Sequence, residues 1–433
     1  MALTAAEQYL LELINRARLD PMGEARLYGI DLNSGLSAGT ISGAAKQVLA
    51  PNALLESAAI KHSQWMIATD TISHTGANGS TPYQRAVAEG YKPGWVGENI
   101  SWRGTTGAIN LESYIETQHR DLFLSSGHRT NIMSTSYREI GIAQETGVFR
   151  QGGVDYNSSM ITEVFGSSGT ARFITGVSYF DSDNNRFYSI GEGYGGVTIN
   201  AAGNSAVTAA AGGYGLAVEA ANATSATDVT GQVGRASFFI KLDMSSGNVK
   251  LDAVNGYLFQ TSGSITLMYG LNDATLLGVA NLRAVGNDYN NILTGNSGNN
   301  ILDGRAEQDT LYGGGGADAL YGGRGTDVLY GGDGNDIIQG GPGSDGVWGG
   351  TGADRFIFLN GAGFDAIQDF SLGEDRIRMD DANWRGVLTA SQAVDAFARV
   401  TTGGVLFDFG DGDQLLILHL RSTQELAAYI DII

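Results

Sequence analysis

From Gly286 onward the chain repeats itself every nine residues, and very few folds can accommodate that register. Successive units begin at Gly286, Gly295, Gly304, Gly313, Gly322, Gly331, Gly340 and Gly349. Their sixth place reads Asn291, Asn300, Asp309, Asp318, Asp327, Asp336, Asp345, Asp354; their eighth reads Leu293, Leu302, Leu311, Leu320, Leu329, Ile338, Val347, Phe356. A flexible glycine-rich linker keeps no such register. Glycine permits positive φ and lets backbone carbonyls close on an ion, and a carboxylate oxygen is the hard ligand that Ca²⁺ prefers. The aliphatic residue two places later belongs on a short strand, pointing inward. The pattern predicts a parallel β-roll over 286–358. Its Ca²⁺ would be held by Asp309, Asp318, Asp327, Asp336, Asp345 and Asp354, and by the backbone of Gly313, Gly315, Gly322, Gly331 and Gly340. Without the ion the aspartates repel one another and little apolar area is available, so the stretch is expected to be disordered. The two asparagine units are expected to cap the roll with weak calcium binding or none.

The unit G-G-x-G-x-D-x-U-x resembles the RTX calcium-binding nonapeptide. That resemblance implies export by a type I (ABC transporter) system reading an uncleaved C-terminal signal, and hence a secreted, extracellular or cell-surface protein. The stretch from Gly352 to Met379 resembles the cap that follows such rolls. The lysine-free end from Gln424 to Ile433 resembles a type I signal, so 359–433 reads as cap and signal. No basic-then-apolar leader precedes the first helical pattern. The formal net charge of -20 argues against nucleic acid as a partner and fits cation binding. The absence of cysteine excludes thiol chemistry and disulfides. No apolar run is long enough to be a transmembrane segment.

Residues 1–166 read as a helix-rich α+β domain. Thr4 and Glu7 form a capping box ahead of Leu10, Leu11, Ile14 and Ala17. Helices are predicted over 52–69 and 108–125, and strands over 140–143 and 160–165. Four of the five histidines fall before residue 130. They sit among the pieces ISHTGANGS, VGENISW, SSGHRTNIM and REIGIA, with a closing ITEVFG. In that order these pieces resemble the bacterial branch of the CAP superfamily. The resemblance implies an α-β-α sandwich with a cleft of two histidines and two glutamates. His74, Glu98 and His128 match three of these; Glu116 and Glu139 both stand as the fourth. The chain departs from the family at Leu122, where a tryptophan is usual, and in a Gly/Ser/Ala-rich insertion over 29–51. Two imidazoles with carboxylates can hold Zn²⁺ or a similar ion, serve as general base and electrostatic stabiliser, or simply brace the fold as a hydrogen-bonded network. His62 is expected in the core, His119 on a solvated helix face and His419 on an ordinary strand.

Between 167 and 285 alternating strands and Gly/Asn/Ser turns suggest a β-sandwich. Near its start, DSDNNRFYSIGE places Asp181, Asp183, Asn185 and Glu192 at positions 1, 3, 5 and 12 of a twelve-residue calcium loop. Arg186 stands where an EF-hand has glycine. The stretch resembles instead the calcium-stabilised B-type repeats of bacterial surface adhesins; a polar hairpin turn is the alternative. Three functions are consistent with this sequence. One is an extracellular binding module taking a metal, lipid or peptide. Another is a divalent-metal-assisted hydrolase or peptidase using His74, Glu98 and His128. The last is a calcium-bridged matrix or surface component. The balance leans away from an enzyme, because no serine or cysteine lies in a recognisable nucleophile motif.

Overall fold

Helix α1 (Ala5–Leu19) begins at Thr4, whose hydroxyl accepts from the Glu7 amide while Glu7 accepts from the Thr4 amide, closing the capping box. It is followed by α2 (Pro21–Leu27), β1 (Ala50–Pro51), α3 (Ala53–Ala68), α4 (Pro82–Ala88), β2 (Trp95–Thr105), α5 (Leu111–Leu124), α6 (Ser126–Ile132), β3 (Glu139–Gln151) and β4 (Val154–Ser167). The strands form one sheet in the order β1-β3-β4-β2, antiparallel except where β1 joins β3. Alternation along β4 decides which layer each residue meets. Thr162, Val164 and Met160 face α3, where Ser63 bonds Thr162 at 2.7 Å and Leu55, Ala59 and Met66 pack. Ser159 faces the other way and bonds Gln118 of α5 at 2.8 Å. The result is a helix–sheet–helix sandwich. Gly141 makes the α3 contact possible, since a Cβ there would lie 2.0 Å from the Leu55 carbonyl carbon.

The computed structural model describes residues 2–384, 387–410 and 412–433. They form two compact units, Met1–Phe238 with Leu242–Gly256 and Phe239–Lys241 with Tyr257–Ile433. The strands Arg172–Tyr179 to Thr227–Val233 and Val249–Val254 therefore share a unit with the sandwich. Arg172–Tyr179 pairs antiparallel with Gly213–Val218 and parallel with Val249–Val254; Thr198–Ala201 pairs antiparallel with Asn204–Val207 and Thr227–Val233. They cover α1, which is buried along almost its whole length, polar residues included. Lys250 reaches Glu12 at 2.6 Å and also pairs with Asp252. Asn248 donates to the carbonyls of Val48 and Arg138 at 3.0 and 2.8 Å. Phe187 stacks edge-on against Tyr9 and under Arg16.

In the second unit, parallel strands pair at an interval of 18 residues, two units of nine, so alternate units build two sheets. Leu293 pairs with Leu311, Leu311 with Leu329 and Leu329 with Val347; Leu302 pairs with Leu320 and Leu320 with Ile338. All five of these leucines, with Ile338 and Val347, are buried between the sheets. This is a β-roll. Its parallel ladder is longer than the motif: it starts at Leu258–Thr261, paired with Asp273–Leu276, and runs on to Arg376–Met379. Strand pairing needs only the inward aliphatic residue, so it outlasts the glycines. Tyr312, Tyr330 and Trp348 stack outside at 5.1 and 4.6 Å. The end is closed by Gln414–Leu418, parallel to Phe364–Ile367, and Ile430–Ile432, parallel to Arg376–Met379. Among the described residues, no helix is long and apolar enough to cross a membrane.

Candidate calcium rows and histidine cleft

The six aspartates at the sixth place are each almost fully buried, and one oxygen of each is already engaged. The amide of Asp309 donates to Asp327 Oδ1, that of Asp318 to Asp336, that of Asp327 to Asp345 and that of Asp336 to Asp354, at 2.8–2.9 Å. Asn291 and Asn300 donate in the same way to Asp309 and Asp318. The Oδ2 atoms of Asp309, Asp318, Asp327, Asp336, Asp345 and Asp354 are all buried and without a hydrogen-bond donor. Each points at the first glycine of its own unit: a Cβ on Gly304, Gly313, Gly322 or Gly331 would lie 2.3–2.6 Å from that Oδ2 and equally close to a glycine carbonyl of the unit 18 residues on. Six orphaned anionic oxygens beside glycine carbonyls, in space that only glycine leaves open, fit hard cations. Burial pushes all six carboxyls up, to about 7 for Asp309 and Asp345 and about 6 for the others, as expected where no cation compensates.

The asparagine units satisfy themselves. Asn291 Oδ1 accepts the Asn287 amide, and its Nδ2 donates to the Asn272 carbonyl at 2.7 Å. Asn300 accepts the Asn296 amide and donates to Asn296 Oδ1. An amide NH₂ supplies protons where the aspartate units offer only lone pairs.

In the sandwich, His74 and Glu98 come together. His74 Nδ1 lies 2.9 Å from Glu98 Oε1, and the histidine side chain is about half exposed (51%). Arg85 from α4 grips the other oxygen, and buried His62 stands 3.8 Å from the first. Glu98 is thus fully engaged and orients His74, leaving Nε2 as the free ring nitrogen. His128 is close by: burial, then the charge of His74, hold it below the ordinary imidazole range, and its Nδ1 is buried without a partner. Beneath them Asn131 bonds Asn99, and Asn99 bonds both the His128 carbonyl and Glu163. Burial raises Glu163 to about 7, and its Oε1 has no partner. Glu98 fixes the His74 ring as a carboxylate partner of an imidazole does, and among the described residues His74, Glu98 and His128 do not form a group of three with ligand atoms within 4.8 Å of one another.

The two remaining glutamates lie elsewhere. Glu116 accepts from the Tyr9 hydroxyl at 2.8 Å. Glu139 accepts from Asn52, Tyr91 and both the amide and hydroxyl of Ser168 at 2.6–3.0 Å, joining the start of α3 to the end of β4. Glu139→Ala is expected to lower the melting temperature by roughly 10 °C, since hydrogen bonds to a charged group contribute about 1.5–3 kcal/mol each. Metal binding at the histidines should be unchanged; calorimetry on the variant checks both. His62 is a core residue, bonded to the Ser73 carbonyl at 2.9 Å and stacked on Trp65. His119, expected on a solvated face, is instead fully buried at 3.0 Å from Glu24. Burial alone would raise Glu24, but hydrogen bonds from His119 and Arg16 hold it at about 2. Helix periodicity fixed which side of α5 His119 occupies, but not that α2 covers that side. Arg85 was missed because TPYQRAV carries no motif; Glu163 was legible in ITEVFG, where alternation sets it opposite Thr162.

In the loop after Arg172–Tyr179, carboxylate oxygens of Asp181, Asp183 and Glu192 lie within 4.8 Å of one another. Asp183 holds Asn185 through its amide and side chain, and Glu192 accepts from Ser182 and Ser189. Arg186 takes the left-handed conformation, φ +59°, in the place where an EF-hand has glycine.

Residues 11–150 match the model of the cysteine-rich secretory protein family (CAP), and residues 285–320 and 321–356 that of the RTX calcium-binding nonapeptide repeat. Similar solved structures include an extracellular SCP-domain protein from Bacillus anthracis, at 20% identity over 28% of this chain and 35% of that one, TM-score 0.21. A subunit of the Azotobacter vinelandii mannuronan C5-epimerase is 25% identical over 29% of this chain and 78% of its own, TM-score 0.22. An outer surface protein of Borrelia burgdorferi is 19% identical over 35% of this chain and 96% of its own, TM-score 0.22. The chain thus spans about a third of the length of the Bacillus protein. No curated protein matches it.

Proposed function

Because the chain joins a CAP domain to RTX calcium-binding repeats, we propose that it is a secreted protein whose roll folds on meeting extracellular calcium and whose CAP domain works outside the cell as a binding module. Export by a type I system fits the repeats: an unliganded roll is unfolded and threadable where calcium is scarce. Millimolar calcium then fills sites whose dissociation constants in extracellular modules run to roughly 10⁻⁴–10⁻³ M. The same reading assigns a further Ca²⁺ to the loop of Asp181, Asp183, Asn185 and Glu192, which would rigidify the strands covering α1.

The observation that carries the CAP assignment is the His74–Glu98–Arg85 arrangement. It fixes one imidazole with its Nε2 free, and the charge of that ring reaches His128. The module would take a divalent ion, Zn²⁺ by its ligand preference, directly or as a bridge to a peptide or lipid headgroup. Titration of Zn²⁺ into the full chain in saturating calcium should show binding that His74→Ala/His128→Ala loses. Equal binding by both proteins would reject the metal site. Hydrolysis of peptide or ester substrates that depends on Zn²⁺ and on both histidines would favour the hydrolase instead.

A further inference from the structure

The calcium rows do not stop where the nonapeptide motif stops. After Ile357 the chain inserts two residues and resumes with NGAGFDAIQ (360–368), inserts Asp369, and continues with FSLGEDRIR (370–378). Each keeps the essentials of the unit. Gly363 and Gly373, at the fourth place, have φ of +85° and +101°, as Gly316 has +100°. Ile367 and Ile377, at the eighth, are buried and pair with Val347 and Phe356. Gly343 bridges to Gly363, fourth place to fourth place. The sixth places hold Asp365 and Asp375, 4% and 2% exposed. The ladder reaches them across the insertions: the Asp345 amide donates to Asp365 Oδ1 at 3.1 Å and the Asp354 amide to Asp375 Oδ1 at 3.0 Å.

The two new carboxylates differ in their second oxygen. Asp375 Oδ2 accepts the Ser371 amide at 2.7 Å, so both its oxygens are satisfied by backbone donors. That is the self-contained arrangement of Asn291 and Asn300, which take the amides of Asn287 and Asn296. Asp365 has only the ladder bond from a backbone donor. Its other side lies against the carboxyl of Asp345, whose Oδ2 is orphaned in a residue 3% exposed. Asp413, beyond, is occupied by the amides of Gly361 and Gly363. Two buried carboxyls facing each other must share a proton or hold a cation between them.

We propose that Asp365 is a calcium ligand, closing with Asp345 one more ion site in the row of Asp309, Asp327 and Asp345, and that Asp375 ends the other row as an ion-free cap. The inference rests on the assignment of calcium to the roll. The test is calcium stoichiometry of the full chain by equilibrium dialysis with elemental analysis, comparing wild type, Asp365→Asn, Asp375→Asn and Asp309→Asn. Asp365→Asn and Asp309→Asn should each lose one ion per chain, and Asp375→Asn none. Asp365→Asn with the wild-type count, while Asp309→Asn falls, would overturn the extension and leave the roll assignment standing. An unchanged count in Asp309→Asn as well would overturn both. Should Asp365→Asn fail to fold, crystals of the wild type grown with Sr²⁺ decide: an anomalous peak between Asp345 and Asp365 with none at Asp375 is expected. Peaks beside the other aspartates but none there would sink the proposal.

Discussion

Chelating calcium from the full chain at pH 7.5 should erase most of the β-sheet circular dichroism contributed by 258–379, while chelation at pH 5 should erase much less. The reason is the six donorless Oδ2 atoms. In the ion-free roll each is a buried, uncompensated charge, and several such groups together outweigh the usual stability of a domain, about 5–15 kcal/mol. Burial raises the folded carboxyls to about 6 or 7, against about 3.9 for an unfolded aspartate. A folded pKa above the unfolded one means that the ion-free roll holds extra protons. The stability they confer is complete below about pH 4 and lost as pH rises through 6 to 7. With calcium present the order reverses, because protons then compete with the ion. Circular dichroism with and without EDTA at the two pH values checks this; equal loss at both would show that carboxyl desolvation is not what calcium relieves.

The second large effect concerns the boundary of the CAP domain. A chain ending near residue 168 is expected to be insoluble or unfolded, although that is where the family motifs end. Such a cut removes Lys250 from Glu12, Asn248 from the carbonyls of Val48 and Arg138, and Phe187 from Tyr9. It would bare a helix buried on all sides. The point variant Lys250→Met isolates the electrostatic part. It leaves Glu12 and Asp252 buried without their cation, and breaking such a pair costs about 3–5 kcal/mol. Burial by itself would lower the Lys250 pKa, but Asp252 and Glu12 raise it, so the lysine is charged in the fold. Denaturant unfolding of the variant in calcium should show the loss in the first unit's transition. A soluble 1–168 fragment with cooperative unfolding would show that the covering strands are dispensable.

The roll was readable from the sequence because one residue type at a fixed spacing dictates both the turn and the ion. The α-β-α order, and His74, Glu98 and His128 as cleft residues, were implied by the resemblance that the short motifs carry; that His74 bonds Glu98 is seen only in the fold. What could not be read were contacts between distant segments. Nothing local in α1 shows that 172–254 covers it, because Gln8, Glu12 and Arg18 look like a solvated stripe until their partners are in place. Glu139 was drawn toward the cleft by its motif, yet its partners are Asn52, Tyr91 and Ser168. The ninth and tenth units escaped notice because three inserted residues broke the count while leaving the ladder intact.

The ladder that links each sixth-place residue to the one 18 positions later also sets an arithmetic for change in length. Gaining or losing a single nine-residue unit would move every later unit to the opposite sheet. Pairs that both lie beyond the change, such as Asp345 with Asp365 and the strands 414–418 and 430–432 with their neighbours, would move together and stay paired, while the units on either side of the change would exchange partners. A gain of two units returns every later unit to its original sheet and adds one rung to each row. A change of nine residues therefore turns the closing end by half a coil, and a change of 18 lengthens the roll by one whole coil.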